Sequence, residues 1–186
     1  MSIDVAILKF INVTLSSGLF DKFFITICNF DIWRWPLIIV VIALLWKGGP
    51  KGRWLVLLLV IAIGIIDPSI SQILKPGIGR LRPCHNPALD WVLTPDGCGG
   101  RFSFPSSHAA NFFGLAMVSG LFYRRILIPL LIVAGFVGIG RIYLGVHFPS
   151  DVLFGSIYGA SIASAVVWGA IKIAPDKIGK HFKRAK

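Results

Sequence analysis

The stretch WLVLLLVIAIGII, residues 54–66, runs thirteen positions with no charged side chain and nothing more polar than the Trp54 indole. Such a segment has no polar face to turn to water, whereas in a bilayer a helix satisfies its backbone groups internally. It is shorter than the ~20 residues that cross a hydrocarbon layer, but its semi-polar continuation from Asp67 to Lys75 supplies the remainder. Four other runs read the same way: residues 35–46, 109–123, 126–139 and 152–173. Five spans follow. Residues 3–15 are also apolar but are interrupted by Asp4, Lys9 and Asn12, which suits an interfacial amphipathic helix first and part of a sixth span second. Asp4 stands where a signal peptide would be basic, so Met1 is read as the start.

The whole chain agrees with that segment. Of 186 residues 55% are hydrophobic and 15% charged, and the mean hydropathy is +0.79, far from a water-soluble domain. The expected fold is all-α, a polytopic membrane bundle of five to six transmembrane helices forming a single domain over residues 1–186. All eight acidic residues are Asp, so zinc hydrolases of the HExxH type and di-metal bundles built on ExxH pairs are excluded. The net charge of +11 sits at the ends of apolar runs and not along one helix face. That points to a membrane with anionic lipid, and not to nucleic acid, as partner.

Cation placement sets the orientation. Lys47, Lys51 and Arg53 lie between the first two spans, Arg124 and Arg125 between the third and fourth, and six more in the basic tail, residues 172–186. Five spans place these three segments on one side, which the positive-inside rule makes cytoplasmic. Apart from the N-terminal region, this leaves Lys75, Arg80, Arg82, Arg101 and Arg141 near the outer face, where they need a functional reason. The one long polar segment, residues 76–105, is outside by the same count and holds Cys84 and Cys98. In an oxidising compartment these two could close a loop of about 15 residues, worth roughly 3 kcal/mol; the alternative is two free thiols. No Cys/His spacing fits zinc.

Three polar clusters break the apolar background: KPGIGRLRP (75–83), PSSH (105–108) and GRIYLGVHFPSD (140–151). Each falls at the outer end of a span, so three helix ends can converge on one pocket. Together they supply the cations Lys75, Arg82 and Arg141, the imidazoles His108 and His147, the carboxylate Asp151 and the hydroxyls Ser106 and Ser107. Arginine forks and a helix N-terminus suit a dianionic tetrahedral group, so phosphate is the natural ligand.

The set KxxxxxxRP, PSxH and RxxxxxHxxxD, in this order, resembles the signature of the type-2 phosphatidic acid phosphatase superfamily. These are metal-independent membrane phosphatases that share a helical core with soluble vanadium haloperoxidases. The resemblance implies no cofactor and no metal site. It implies that His147 attacks phosphorus and forms a phosphohistidine, that Asp151 holds its imidazole, and that His108 protonates the leaving oxygen. Lys75, Arg82, Arg141 and Ser106 would bind the phosphoryl oxygens. Two positions depart from the pattern: Ser107 stands where Gly is common and Gly140 where Ser is common, so Ser107 could take over a phosphate contact.

The implied activity is that of a bacterial lipid phosphatase at the outer (periplasmic) face of the cytoplasmic membrane. Its substrate would be a phospholipid or lipid A type molecule, lipid A 1-phosphate or phosphatidylglycerol phosphate first. Undecaprenyl pyrophosphate hydrolysis, phosphotransfer to a lipid acceptor, and non-catalytic anion or lipid transport are the alternatives. Oligomeric state is not legible. Arg80 and Arg101 are either contacts to a second anionic group or plain loop charges. Asp67, before Pro68, either kinks the second span or pairs with an outer arginine, while His85 and His181 read as structural or solvated.

Overall fold

Each apolar run is a helix, and the residues at its ends explain where it starts and stops. The structure, a computed structural model, describes residues 2–179; His181 and the rest of the basic tail beyond residue 179 lie outside the described residues. The N-terminal stretch is α1 (Ile3–Lys9), continued by a wide π-helical turn (Phe10–Thr14), then α2 (Gly18–Cys28). Helix α3 spans Phe30–Lys47, with Asn29 Oδ1 accepting the Asp31 N–H at 2.9 Å. Gly48 and Gly49 turn the chain into α4 (Gly49–Pro68), which takes Pro50 in its first turn where no N–H is missed.

Helix α4 does not stop at Pro68. It widens into a π-helical segment (Ser69–Leu74) and ends as α5 (Lys75–Ile78), a continuous helical path of 30 residues. Pro68 cannot donate a backbone bond, and the hydroxyls of Ser69 and Ser71 donate to the carbonyls of Ile66 and Asp67, both at 2.8 Å. Asp67 itself accepts from Asn111 Nδ2 at 2.9 Å and not from an outer arginine. Gly79, at φ +68°, terminates α5 in the left-handed conformation that a residue with a Cβ resists. Beyond the polar loop come α6 (Ser107–Phe122), α7 (Leu127–Tyr143) and α8 (Pro149–Ile173).

Among the described residues, three helical stretches are each long and apolar enough to cross a membrane: Gly49–Ile78, Arg124–Tyr143 and Pro149–Ile173. Helix α3 has 18 residues with charges at both ends, and α6 has only 16. These two complete the five helices that the apolar runs announce. The N-terminal pair is bent by 114°, so it is neither a straight span nor a single surface helix. Its first arm buries Leu8 beside Leu89, Ile142 and Phe148, and its second packs Phe24 and Cys28 on Val137 and Tyr143 of α7.

Helix α6 is the hub, packed on α4, α7 and α8. Its approach to α8 is set by glycine. A Cβ at Gly155 would come within 2.5 Å of the Ser106 carbonyl oxygen, and one at Gly159 would strike the backbone of Ala110. Helices in lipid gain little from apolar transfer between one another, so close backbone packing of this kind is what joins them. At the far end Lys51 lies 4.3 Å over the Tyr123 ring, tying the α3–α4 turn to the end of α6. The ends of α5 and α7 and the starts of α6 and α8 therefore lie at the opposite end.

Gly159→Ala must push α8 off α6 and should destabilise the fold by about 1–3 kcal/mol. Gly135→Ala, with nothing within 4 Å of the added carbon, should leave stability unchanged or raise it. Thermal unfolding of the two variants in detergent checks the difference.

Candidate active site

Four segments bring the polar clusters together. The first is the loop after α5. Leu81 bridges to Phe102, Arg82 N–H donates to the Arg101 carbonyl at 3.1 Å, and Ser103 N–H to the Arg80 carbonyl at 2.8 Å. This short hairpin base holds Arg82. Its guanidinium donates from Nε to the Phe102 carbonyl at 3.4 Å and from Nη1 to the Cys98 carbonyl, and Gly99 leaves the room it needs. Cys98 is bonded to Cys84, with Cα atoms 5.9 Å apart. The loop carbonyls thus anchor one edge of Arg82 while its charge remains available.

The second segment is the start of α6. Ser106 is fully buried and caps the helix, its Oγ accepting the Ala109 N–H at 3.4 Å. Its own N–H donates to the Asp151 carbonyl at 3.1 Å, which fastens the start of α6 to the start of α8. His108 is the second residue of α6, where it experiences the charges of Arg141, Lys75 and Arg82 and the nearby His147.

The third and fourth segments are the end of α7 and the turn into α8. The N–H groups of Val146 and His147 both donate to the Arg141 carbonyl, at 3.3 and 3.2 Å, and Gly145 at φ +70° makes the reversal possible. Asp151 is completely buried and accepts the Phe148 N–H at 2.8 Å, serving as a helix cap; His147, 1% exposed, sets its Nδ1 3.5 Å from Asp151 Oδ2. Asp151 thus caps α8 and also faces the His147 ring, whose buried Nδ1 has no closer hydrogen-bond partner. Burial pushes the His147 imidazole down to about 4, Arg141 and Lys75 act in the same direction, and Asp151 opposes them.

Lys75, Arg82, Arg141, Ser106, His108, His147 and Asp151 thus share one end of the bundle, with Ser107 half-buried at the first position of α6. Two expectations for the loop arginines separate. Arg80 is not a free contact for a second anion, because its guanidinium bonds Asp151 Oδ1 and Asp4 Oδ2, both at 2.6 Å. Arg101 is exposed and lies over its neighbour Phe102, 5.7 Å from the ring centre. His85 Nε2 lies 3.2 Å from the Gly99 carbonyl, inside the loop. The one group of His, Cys and Asp side chains that could gather a metal among the described residues is Cys84, His85 and Cys98. Its two sulfurs are already spent on each other.

One contributor had no signal in the sequence. Cys28 of α2 lies against Gly140, where an added Cβ would be 2.6 Å from its sulfur, and beside the Arg141 guanidinium. The hydroxyl missing at position 140 is thus replaced in space by a thiol from another helix. Gly140→Ser alone should lower thermal stability, and Cys28→Ala should restore it in the double variant. Melting temperatures of the three proteins test this coupling.

The chain matches the PAP2 superfamily over residues 53–173. It is 35% identical over 167 residues to the Lipid A 4'-phosphatase of Bacteroides thetaiotaomicron, covering 84% of this chain and 72% of that protein. A transmembrane PAP2 type phosphatidylglycerolphosphate phosphatase of Bacillus subtilis superposes with a TM-score of 0.73 at 25% identity, over 98% of this chain and 87% of that one. Aquifex aeolicus LpxE has the same fold, with a TM-score of 0.70 at 22% identity, over 90% and 96% of the two chains. A helical membrane bundle, the family match over most of its helices and these relatives lead to one assignment: the chain belongs to the PAP2 superfamily and is a multi-pass membrane lipid phosphatase.

Proposed function

We propose that this phosphatase removes a glucosamine-linked phosphate from a lipid A type headgroup, at the outer face of the cytoplasmic membrane, through a phosphohistidine and without metal. The observation that supports the mechanism is the buried pair of His147 and Asp151, with Nδ1 3.5 Å from the carboxylate and no closer partner, an arrangement that suits Nε2 as the attacking atom. In the first step the Nε2 lone pair forms a bond to phosphorus and the bond from phosphorus to the lipid oxygen breaks. His108 gives its proton to that oxygen. In the second step water attacks the phosphohistidine, His108 takes the water's proton, and inorganic phosphate leaves with His147 restored. Lys75, Arg82 and Arg141, with Ser106 and Ser107 at the helix start, hold the phosphoryl oxygens and offset the charge that grows on them. Arriving phosphate brings negative charge beside His108 and favours its protonated form.

The lipid A reading rests on similarity to a protein named for that substrate, and on the outer loop, which is stapled and too short to form a folded cap over a large headgroup. The alternative substrate, phosphatidylglycerol phosphate, has the Bacillus subtilis relative in its favour. The absence of metal from the reading rests on the donor set: the chain has no Glu, and Asp151 is committed to Arg80, the Phe148 N–H and His147.

Phosphate release by the purified protein in chelator, across lipid A 1- and 4'-phosphates, phosphatidylglycerol phosphate and undecaprenyl pyrophosphate, tests both parts. Lipid A phosphate should turn over fastest, and loss of all activity in chelator with recovery on adding Mg²⁺ or Zn²⁺ would overturn the metal-free route. His147→Ala should abolish turnover and the acid-labile phosphoenzyme. His108→Ala should slow the poor alkoxide leaving group of the 4' position more than the anomeric 1 position. Because its proton affinity is depressed, His147 should stay neutral and ready to attack across about pH 5 to 8. NMR titration of labelled histidine checks this; a midpoint near the ordinary imidazole value would contradict it.

A further inference from the structure

Asp151 has two carboxylate oxygens with different partners. Oδ2 accepts the Phe148 N–H at 2.8 Å and lies 3.5 Å from His147, while Oδ1 accepts from Arg80 Nη1 at 2.6 Å. The same Arg80 nitrogen reaches Ser150 Oγ at 2.7 Å, and its other terminal nitrogen donates to Asp4 Oδ2 at 2.6 Å. Asp4 closes the circuit by accepting the Ser150 N–H at 2.9 Å and the Ser150 hydroxyl at 2.6 Å. The guanidinium carbon lies 4.0 Å over the Phe148 ring, and the Arg80 carbonyl receives Ser103. Both terminal nitrogens of Arg80 are therefore held, and two carboxylates balance its single charge.

A residue so committed does not reach for substrate. Its contact with Oδ1 fixes the plane of the carboxylate, so that the other oxygen stays turned toward His147. It also withdraws part of the negative charge that Asp151 would otherwise lend to the imidazole. His147 is faced by Asp151 from α8, Arg141 from α7, Lys75 from α5 and His108 from α6. Arg80 bonds the carboxylate oxygen that does not face His147.

We propose that Arg80, clamped by Asp4 of the N-terminal helix, is a positioning residue that orients and partly neutralises Asp151, which makes α1 a structural member of the active centre. This rests on the reading of His147 as nucleophile and Asp151 as its partner. It assigns the loop arginine to the far side of the catalytic pair instead of the phosphate, and it gives the acidic residue at the start of α1 a chemical purpose.

The test uses the full chain with Arg80→Gln, Arg80→Lys and Asp4→Asn. Each variant is assayed on a long-chain lipid A phosphate for kcat and KM, by histidine NMR for the His147 midpoint, and by melting temperature. Arg80→Gln should lower kcat about 10- to 100-fold with KM changed less than about twofold. It should also raise the His147 midpoint, because the freed Asp151 charge then stabilises the imidazolium. Arg80→Lys should recover part of kcat and return the midpoint toward its original value. Asp4→Asn, which leaves the Arg80 charge to Asp151 alone, should lower kcat less and leave the midpoint at or below its starting value. In an Asp151→Asn background, Arg80→Gln should no longer move the midpoint. A raised KM at unchanged kcat and midpoint would instead make Arg80 a substrate contact, and a kcat loss that follows the melting temperature with an unmoved midpoint would make it a fold stabiliser only. Either result overturns the proposal. Turnover surviving in His147→Ala would defeat the nucleophile reading separately, since the midpoint shift does not depend on turnover.

Discussion

A carboxylate with no exposed surface, at the end of a helix bundle built for lipid, must be compensated or the fold loses several kcal/mol. Asp151 is that group, and much of the molecule's polar architecture is its compensation. Its backbone carbonyl receives Ser106 and so fixes where α6 begins relative to α8. One side-chain oxygen caps α8 through Phe148 and approaches His147; the other takes Arg80, which brings in the loop after α5 and, through Asp4, the first helix. Removing the carboxylate would therefore disturb the α8 cap, the turn that carries His147, the loop after α5 and, through Asp4, α1.

The same economy governs the cations. Three positive side chains in a partly dry site repel one another, and the protein contains them without neutralising them. Arg82 leans on the carbonyls of Cys98 and Phe102, which are dipoles and not charges, so its charge is not neutralised there. Arg141 has a buried Nε with no partner and a thiol alongside its guanidinium. Arg80 differs because two carboxylates balance it. A shared loop thus carries two arginines with opposite assignments, two residues apart.

What could be read from the chain follows a physical division. Helices in lipid are written locally, so residues 54–66 and the four other runs foretold α3, α4, α6, α7 and α8. The segment order KPGIGRLRP, PSSH and GRIYLGVHFPSD foretold which helix ends meet. Contacts between distant residues were not written locally. Asp4 and Arg80 are separated by 76 positions, and nothing in the spacing of either announces the other, so the sequence offers Arg80 only as a contact to a second anionic group or as a plain loop charge. Cys28 gave no hint that it would stand where a hydroxyl is missing at Gly140. The 114° bend near residues 14–18 was likewise hidden, because an interrupted apolar stretch has the same composition whether it lies on a membrane, crosses it or folds back.

Helix α6 carries His108 at one end and has only 16 residues, so at a rise of ~1.5 Å per residue it is about 24 Å long against a hydrocarbon thickness of ~30 Å. Its neighbour α4 with its continuation has 30 residues and cannot match that length without tilting or rising past it. The bundle is thus unequal in height, with its central pillar the shortest. No residue of α6 is exposed, so the acyl chains meet its longer neighbours and the short pillar can leave its polar end recessed within the bundle. Under the proposed chemistry the depth of that recess is the distance a lipid phosphate descends from the headgroup plane to meet His147, which makes the thickness of the host bilayer a variable of the reaction.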